Sequence, residues 1–170
     1  MIVRYRSEFV VAVLAVIVLG ALTACSPTTS ASSGASAASG GGSSGGTNVC
    51  NLVGASTASS AMGVSFTSSK TSSFGSGEDA CTYAASGSPA ALIVTVYQPK
   101  SGMTWTTMQG VLASLGPVKS VSGVGDDAAL AKLQLSVQAG SRVIAIEGNS
   151  VGTNPSGAEA LAKEFVTALG

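Results

Sequence analysis

The strongest strand signal in this chain is the run ALIVTVY at residues 91–97. β-Branched and aromatic side chains dominate the run, and they favour a strand because they pack well on a pleated surface. Leu92 and Val96 would lie on one face, and Ile93 and Tyr97 on the other, because side chains alternate along a strand. The run therefore predicts a strand with two distinct faces, and the neighbouring segments are interpreted around it.

Strand patterns occur on both sides of this run. Residues 81–84 are predicted to begin a strand before it, whereas the polar residues 68–77 are predicted to form a loop. Residues 127–131 form a short predicted strand after it. Residues 133–138 alternate between apolar and polar side chains, which is typical of a strand with one wet face. A turn then leads to residues 142–147, the predicted partner of that strand in an antiparallel hairpin.

Three segments have helical patterns. Residues 55–62 are rich in Ala and Ser, and Gly63 is their predicted C-terminal stop. A second helix is predicted where apolar residues recur at steps of three and four, at Trp105, Met108, Leu112 and Leu115. The third helix is predicted to begin at Ser156, which forms a capping box with Glu159, and it carries an apolar face as far as Leu169.

These elements predict an α+β fold for residues 49–170. Their order along the chain is α-β-β-α-β-β-β-α. An antiparallel sheet with the helices packed on one face would bury the apolar faces of both. The length of this segment suits a single domain.

The first 24 residues have the pattern of an export signal. Arg4 and Arg6 precede an uncharged apolar run at residues 9–19, which is shorter than the roughly 20 residues that cross a membrane as a helix. Residues 22–25, Leu-Thr-Ala-Cys, resemble a bacterial lipobox. That resemblance implies removal of residues 1–24 and a palmitate-type lipid on Cys25. The alternatives are an ordinary signal peptide with an incidental cysteine, or an uncleaved N-terminal helix.

Residues 25–48 are predicted to be the lipid-bearing Cys25 followed by a tether. Ser, Gly, Ala and Thr make up almost all of this segment. Such a segment cannot bury enough apolar surface to offset its backbone entropy, so it is predicted to be disordered. The lipid would then hold the folded domain at the outer, extracytoplasmic face of the cell membrane.

Two cysteines, Cys50 and Cys81, remain if Cys25 carries the lipid. Paired cysteines in exported proteins usually form a disulfide, which here would tie the first helix to the first strand. The alternative is two reduced, buried thiols. Neither a metal nor a cofactor is predicted, because two thiolates without histidine or C-x-x-C spacing are a poor metal site.

The composition excludes several classes of function. Charged residues make up 9% of the chain and its formal net charge is zero, so no basic surface for nucleic acid is predicted. Removal of residues 1–24 would leave six basic and seven acidic side chains. The chain has no histidine, which removes the commonest general base and metal ligand. We therefore predict that the protein is not an enzyme and that it has no catalytic residues.

The order of several motifs resembles the actinobacterial lipoproteins of the domain-of-unknown-function 3558 family. The resemblance covers residues 49–169 and rests on the lipobox, the Ser/Gly tether, Cys50-Asn51-Leu52-Val53, Gly63, Cys81-Thr82-Tyr83 and Val121-Ser122-Gly123-Val124-Gly125-Asp126-Asp127-Ala128. It implies a small disulfide-bridged α+β domain outside the cytoplasmic membrane. Asp126 and Ala128 match the family's Gly-Asp-x-Ala element, whereas residues 65–77 depart from its pattern. The family has no established activity, so it implies no catalytic residue.

Four side chains are candidates for ligand contact. Tyr83 and Tyr97, on neighbouring predicted strands, could edge a ligand groove or simply pack. Trp105 could line an apolar pocket or belong to the core. Asp126, with Asp127, could bind a metal or act as acid and base. However, the preceding glycines favour a turn in which the Asp side chains bond local amides.

We therefore expect a membrane-anchored extracytoplasmic lipoprotein that binds a small apolar ligand, a lipid or an envelope protein. Its membrane contact would be the lipid on Cys25. The alternatives are a hydrolase that uses Asp126 or a serine, and a purely structural or antigenic surface protein.

Overall fold

A computed structural model describes residues 47–170, without the side chains of residues 88–91. The predicted signal peptide, Cys25 and almost all of the predicted tether lie outside the described residues. The helices are α1 (Val49–Leu52), α2 (Ala55–Met62), α3 (Trp105–Leu115), α4 (Asn149–Thr153) and α5 (Pro155–Leu169). The strands are β1 (Phe66–Ser73), β2 (Glu78–Ala85), β3 (Ser88–Tyr97), β4 (Val118–Val121), β5 (Asp127–Ala131), β6 (Gln134–Ala139) and β7 (Arg142–Glu147).

The strands of the described residues form one seven-stranded antiparallel sheet in the order β1-β2-β3-β7-β6-β5-β4. The apolar run at residues 91–97 lies in β3, inside the sheet between β2 and β7. At one end of this seam Ile93 pairs with Glu147, and at the other end Tyr97 pairs with Val143. The predicted α+β class and antiparallel sheet are therefore confirmed.

Helix ends follow local capping chemistry. Gly63 ends α2 in the left-handed conformation, with φ of 63°, as its position predicted. The side chain of Thr104 accepts a hydrogen bond from the backbone N of Thr107 and starts α3. The start of α5 differs from the predicted Ser156, because Asn154 is the cap and its side chain accepts from the N of Gly157.

The main core lies on one face of the sheet. Leu92, Val94 and Val96 of β3 are buried there with Ile144 and Ile146 of β7. Residues from α1, α2, α4 and α5 join the same cluster, including Val49, Met62, Val151, Leu161 and Phe165. Four of the five described helices therefore occupy the single face that the sequence predicted.

Helix α3 departs from the one-face expectation. Met108 and Leu112 pack with Ala129, Ala131 and Ala145, whose side chains point away from the main core because neighbouring residues in a strand alternate. The predicted wet face of β6 is therefore covered by α3. Its polar residues Gln134 and Ser136 are buried there and hydrogen-bond to each other.

Two edge strands were not predicted. The segment 68–77, which was expected to be a loop, contains most of β1, whose sequence FTSSKTSS has one buried apolar residue, Phe66. An edge strand pairs on one side only, and a lysine such as Lys70 in its middle discourages pairing with other chains. At the opposite edge, β4 has four residues, too few to show a clear alternation.

The Cys50–Cys81 disulfide is confirmed, with an S–S distance of 2.03 Å. It joins α1 to β2 across a sequence separation of 31 residues, and in the chain-entropy view a loop of this length stabilises the fold by about 3–4 kcal/mol.

The chain that enters the domain is also held just before α1. The N of Thr47 donates to the buried Asp79 carboxylate at 3.0 Å, and Gln98 Nε2 donates to Thr47 Oγ1 at 2.9 Å.

The loop before β5 lies very close to β6. Val124 is buried in the main core, and it is flanked by Gly123 and Gly125, which have φ of 76° and 62°. A Cβ at Gly125 would collide with the carbonyl oxygen of Gln138, whereas a Cβ at Gly123 would meet nothing within 4 Å. Position 125 therefore favours glycine for two reasons, its positive φ and its close approach to β6. At position 123 only the positive φ favours glycine.

We expect Gly125→Ala to destabilise the domain at least twice as much as Gly123→Ala. Both changes place an alanine in the left-handed region, which costs about 1–2 kcal/mol, but only the first forces β6 to move. Urea unfolding of both variants measures the difference. Equal losses would contradict the proposed contact with Gln138.

Candidate functional site

Tyr83 is part of the core. Its side chain is fully buried on the main-core face, and its ring centroid lies 5.6 Å from that of Phe66. Its hydroxyl donates to the carbonyl oxygen of Val53 at 2.6 Å. Burial raises the pKa of Tyr83 above its ordinary value of 10.0. The tyrosine therefore joins β2 to the segment that links α1 and α2.

Asp126 and Asp127 hold different parts of the fold. The carboxylate of Asp126 accepts a hydrogen bond from the N of Gly140 at 2.6 Å, and its own backbone N donates to Gln138 at 2.9 Å. The carboxylate of Asp127 accepts from Trp105 Nε1 at 2.8 Å. Each carboxylate therefore has its own structural partner, and Trp105 is fixed at the start of α3.

Tyr97 lies half-buried on the face of the sheet that carries α3. Burial, followed by the negative charges of Glu78 and Glu147, raises the pKa of Tyr97 to about 12. Glu78 lies directly opposite Tyr97 on the neighbouring strand, whereas Glu147 lies toward the other end of the β3–β7 seam. The four sequence candidates do not form one site, because Tyr83 lies on the opposite face and Asp126 and Trp105 are engaged in the contacts above.

An apolar cleft lies at the other end of the α3 face. Its volume is about 420 Å³, within the range of roughly 300–1,000 Å³ that is typical of small-ligand sites. Apolar side chains from three elements line it: Ile93 of β3, Leu115 of α3 and Leu133 of the β5–β6 turn. Ile93 is 36% exposed and Leu133 is 46% exposed.

The length and position of α3 create this cleft. The helix packs on β5 and β6 and ends at Leu115, so it leaves the Ile93–Glu147 end of the β3–β7 seam uncovered. The opposite wall is the two-residue turn between β5 and β6. In that turn Lys132 has φ of 47°, and among the described residues it is the one non-glycine residue with positive φ. Strained backbone of this kind is often found at functional sites.

Polar groups lie beside the apolar lining. Glu147, Gln134, Lys132 and Asn149 all border the cleft. Burial raises the pKa of the Glu147 carboxyl above its ordinary value of 4.5. A cleft with an apolar lining, a few convergent polar groups and a perturbed carboxyl has the general features of a ligand site.

A second, more polar cavity of about 510 Å³ borders Asp126 and Arg142. Its two charged side chains already have partners within the fold. Asp126 accepts from Gly140, and Arg142 donates to Gln98 at 3.1 Å and to the carbonyl oxygen of Leu169 at 3.1 Å. The apolar cleft is therefore the stronger candidate.

The residues of the cleft were not among the candidates predicted from the sequence. Leu133 was assigned to the strand, although it lies in the turn before β6. Ile93 was placed correctly on the outer face of β3, but the position of α3 decides whether that face is covered. Two apolar side chains could have indicated the cleft: Leu133 at a turn, and Ile93 on the second face of its strand.

Within the described part of the chain, no cluster of three or more acidic, cysteine or histidine side chains could hold a metal ion. No helix in the same part is long and apolar enough to cross a membrane. Comparisons with protein-family models, curated proteins and solved structures gave no match.

We expect Glu147→Gln to stabilise the domain at neutral pH. Because the folded state holds the Glu147 proton more tightly than the unfolded state does, the stability of the natural protein falls as pH rises from about 4.5 through the raised pKa. The variant has no carboxyl group at position 147, so its stability does not fall in this way as pH rises. Its advantage in melting temperature should therefore shrink as pH is lowered toward 4.5.

Glu164→Gln, which changes an exposed carboxylate on α5, is the matched control. It should not reproduce this pH-dependent advantage. A constant difference between Glu147→Gln and the natural protein across the same pH range would contradict the role of Glu147 burial.

Proposed function

We propose that this chain is a lipid-anchored binding protein of the outer face of the cell membrane, and that the folded domain binds a small, partly apolar ligand in the cleft. The observation that carries the binding proposal is the convergence of Ile93, Leu115 and Leu133 on one open cavity. A ligand that covers these side chains removes apolar surface from water, which favours binding by roughly 25 cal/mol per Å².

The anchoring part of the proposal is supported by the N-terminal sequence. The lipobox-like residues 22–25, the following Ser/Gly-rich segment and the exported-type disulfide point to the same compartment. The resemblance of residues 49–169 to the domain-of-unknown-function 3558 lipoproteins supports this location as well. We include membership of that family in the proposal.

The binding proposal has stronger support than the hydrolase alternative. That alternative depends on Asp126 or on a serine. The carboxylate of Asp126 already accepts a hydrogen bond from Gly140, and this bond holds the β6–β7 turn against the loop before β5. The cleft, in contrast, offers exposed apolar side chains beside polar ones.

Cys25→Ala tests the anchor. We expect the variant to lose its attachment to membranes or to accumulate as an unprocessed precursor, because the residue that accepts the lipid is gone. Fractionation of cells from the native host, with mass spectrometry of the N-terminal peptide, measures both outcomes. Tight membrane attachment of the variant would show that residues 1–24 remain as the anchor.

Pentanol is a suitable probe for the cleft because it is small and partly apolar. We expect it to shift the methyl NMR signals of Leu115 and Leu133 in the full chain in a saturable way. Ile93→Ser and Leu133→Ser should each weaken binding by about tenfold, the equivalent of about 1.4 kcal/mol, because each removes part of the apolar lining.

Phe74→Ser is the matched control, because Phe74 is 63% exposed and lies outside the lining of the cleft. This variant should bind pentanol as the natural protein does. Unsaturable shifts, or equal binding by all three variants, would overturn the proposal that the cleft is the ligand site.

A further inference from the structure

Two hydrogen-bond acceptors lie side by side at the polar edge of the cleft. Glu147 of β7 and Gln134 of β6 are directly paired across the two strands, and both line the cavity. Side chains of such a pair are close neighbours on one face of a sheet, with Cβ atoms about 4.5–5.5 Å apart. A single ligand group can therefore contact both.

The amide of Gln134 is oriented by its contacts. Its Nε2 donates to Met108 Sδ at 3.4 Å and to Ser136 Oγ at 3.1 Å. A methionine sulfur only accepts hydrogen bonds, so the amide nitrogen must face Met108. The Oε1 atom of Gln134 consequently points elsewhere, and no donor from the described residues reaches it. Gln134 is 6% exposed. Among the described residues, no side-chain oxygen that is closed to solvent lacks a hydrogen-bond partner, so the small accessible part of Gln134 includes this oxygen.

The carboxylate of Glu147 also lacks a donor among the described residues. The titratable groups on the same face do not compensate its charge. The pKa of Tyr97 is raised to about 12, so its side chain is neutral at neutral pH, and Glu78 beside it is a further carboxyl group. Lys132 lies along the end of α3, where its Cε would be 3.5 Å from a Cβ built on Gly116. The C-terminal end of a helix attracts cations, which gives Lys132 a favourable position there. Burial is the cause of the raised Glu147 pKa, and no neighbouring cation lowers it.

We propose that the cleft selects ligands in which a protonated primary amine is joined to a short apolar body. The ammonium group would donate to the Glu147 carboxylate and to Gln134 Oε1, and the apolar body would rest on Ile93, Leu115 and Leu133. This inference depends on the proposed function, because it names the ligand class for the same cleft.

The chemistry of the two acceptors discriminates between head groups. An ammonium group has three donors and no acceptor, so it can satisfy both oxygens at once. Hydrogen bonds between ionised groups are roughly twice as strong as neutral ones. A hydroxyl group can satisfy only one of the two acceptors, and a carboxylate is repelled by Glu147. Amine, alcohol and acid of the same chain length should therefore bind in that order.

Titration calorimetry of the full chain at neutral pH with pentylammonium, pentanol and pentanoate tests the inference. We expect pentylammonium to bind about tenfold or more tightly than pentanol, and pentanoate to bind most weakly. Glu147→Gln should abolish the advantage of the amine and leave pentanol binding in place. Glu164→Gln, on the exposed side of α5, should keep the order found for the natural protein.

The outcomes separate the two proposals. Pentanol and pentylammonium that bind equally well, or an amine preference that survives in Glu147→Gln, would overturn the choice of amines but leave the cleft as a ligand site. Failure of all three probes to bind would overturn both proposals.

Discussion

The antiparallel pairing of β3 with β7 joins the two halves of this domain. On one side of the seam lies the meander β1-β2-β3, and on the other lies β7-β6-β5-β4. Both faces of the sheet depend on this pairing. On the main-core face, Val94 and Val96 are paired with Ile146 and Ile144 beneath the four helices. The last pair of the same seam, Ile93 with Glu147, forms part of the cleft. The element that unites the core therefore also supplies the candidate site.

The path of the chain explains why α3 stands apart from the other helices. After β3 the chain must reach β4, which lies at the far edge of the sheet, so the connection has to cross a face. The main-core face is already filled by α1, α2, α4 and α5, and α3 crosses on the other. A helix of eleven residues is about 17 Å long and covers part of that face. The cleft is the space that remains beyond its C-terminal end.

Much of the fold could be predicted because its signals are local. The bounds of α2, α3, β5 and β7 agree with the predicted segments, since periodicity, glycine stops and turns mark them. The polar edge strand β1 could not be distinguished from a loop, because one buried residue, Phe66, gives no alternation. The cap of α5 lies two residues before the predicted Ser156, because Asn154 followed by Pro155 is a favourable cap with proline at the first helical position.

The candidate site was less predictable, for a physical reason. Tyr83, Trp105 and Asp126 were chosen for their chemistry, and in the structure their polar atoms hold the fold together through bonds to Val53, Asp127 and Gly140. The cleft depends instead on where α3 ends over Ile93. That position follows from packing between elements that are far apart in sequence, so no single segment of the sequence indicates it.

The bonds at Thr47 determine how mechanical load enters the domain. A pull on the preceding chain first meets the contacts of Thr47 with Asp79 and Gln98, and three residues later it meets the covalent bridge at Cys50. The bridge transfers the load directly to β2 at Cys81, which pairs with Val94 of β3. Tension between the N-terminal side and an object held at Ile93 would therefore bypass residues 51–80. The load would instead pass between β2 and β3 where Cys81 and Thr82 face Val94 and Ile93.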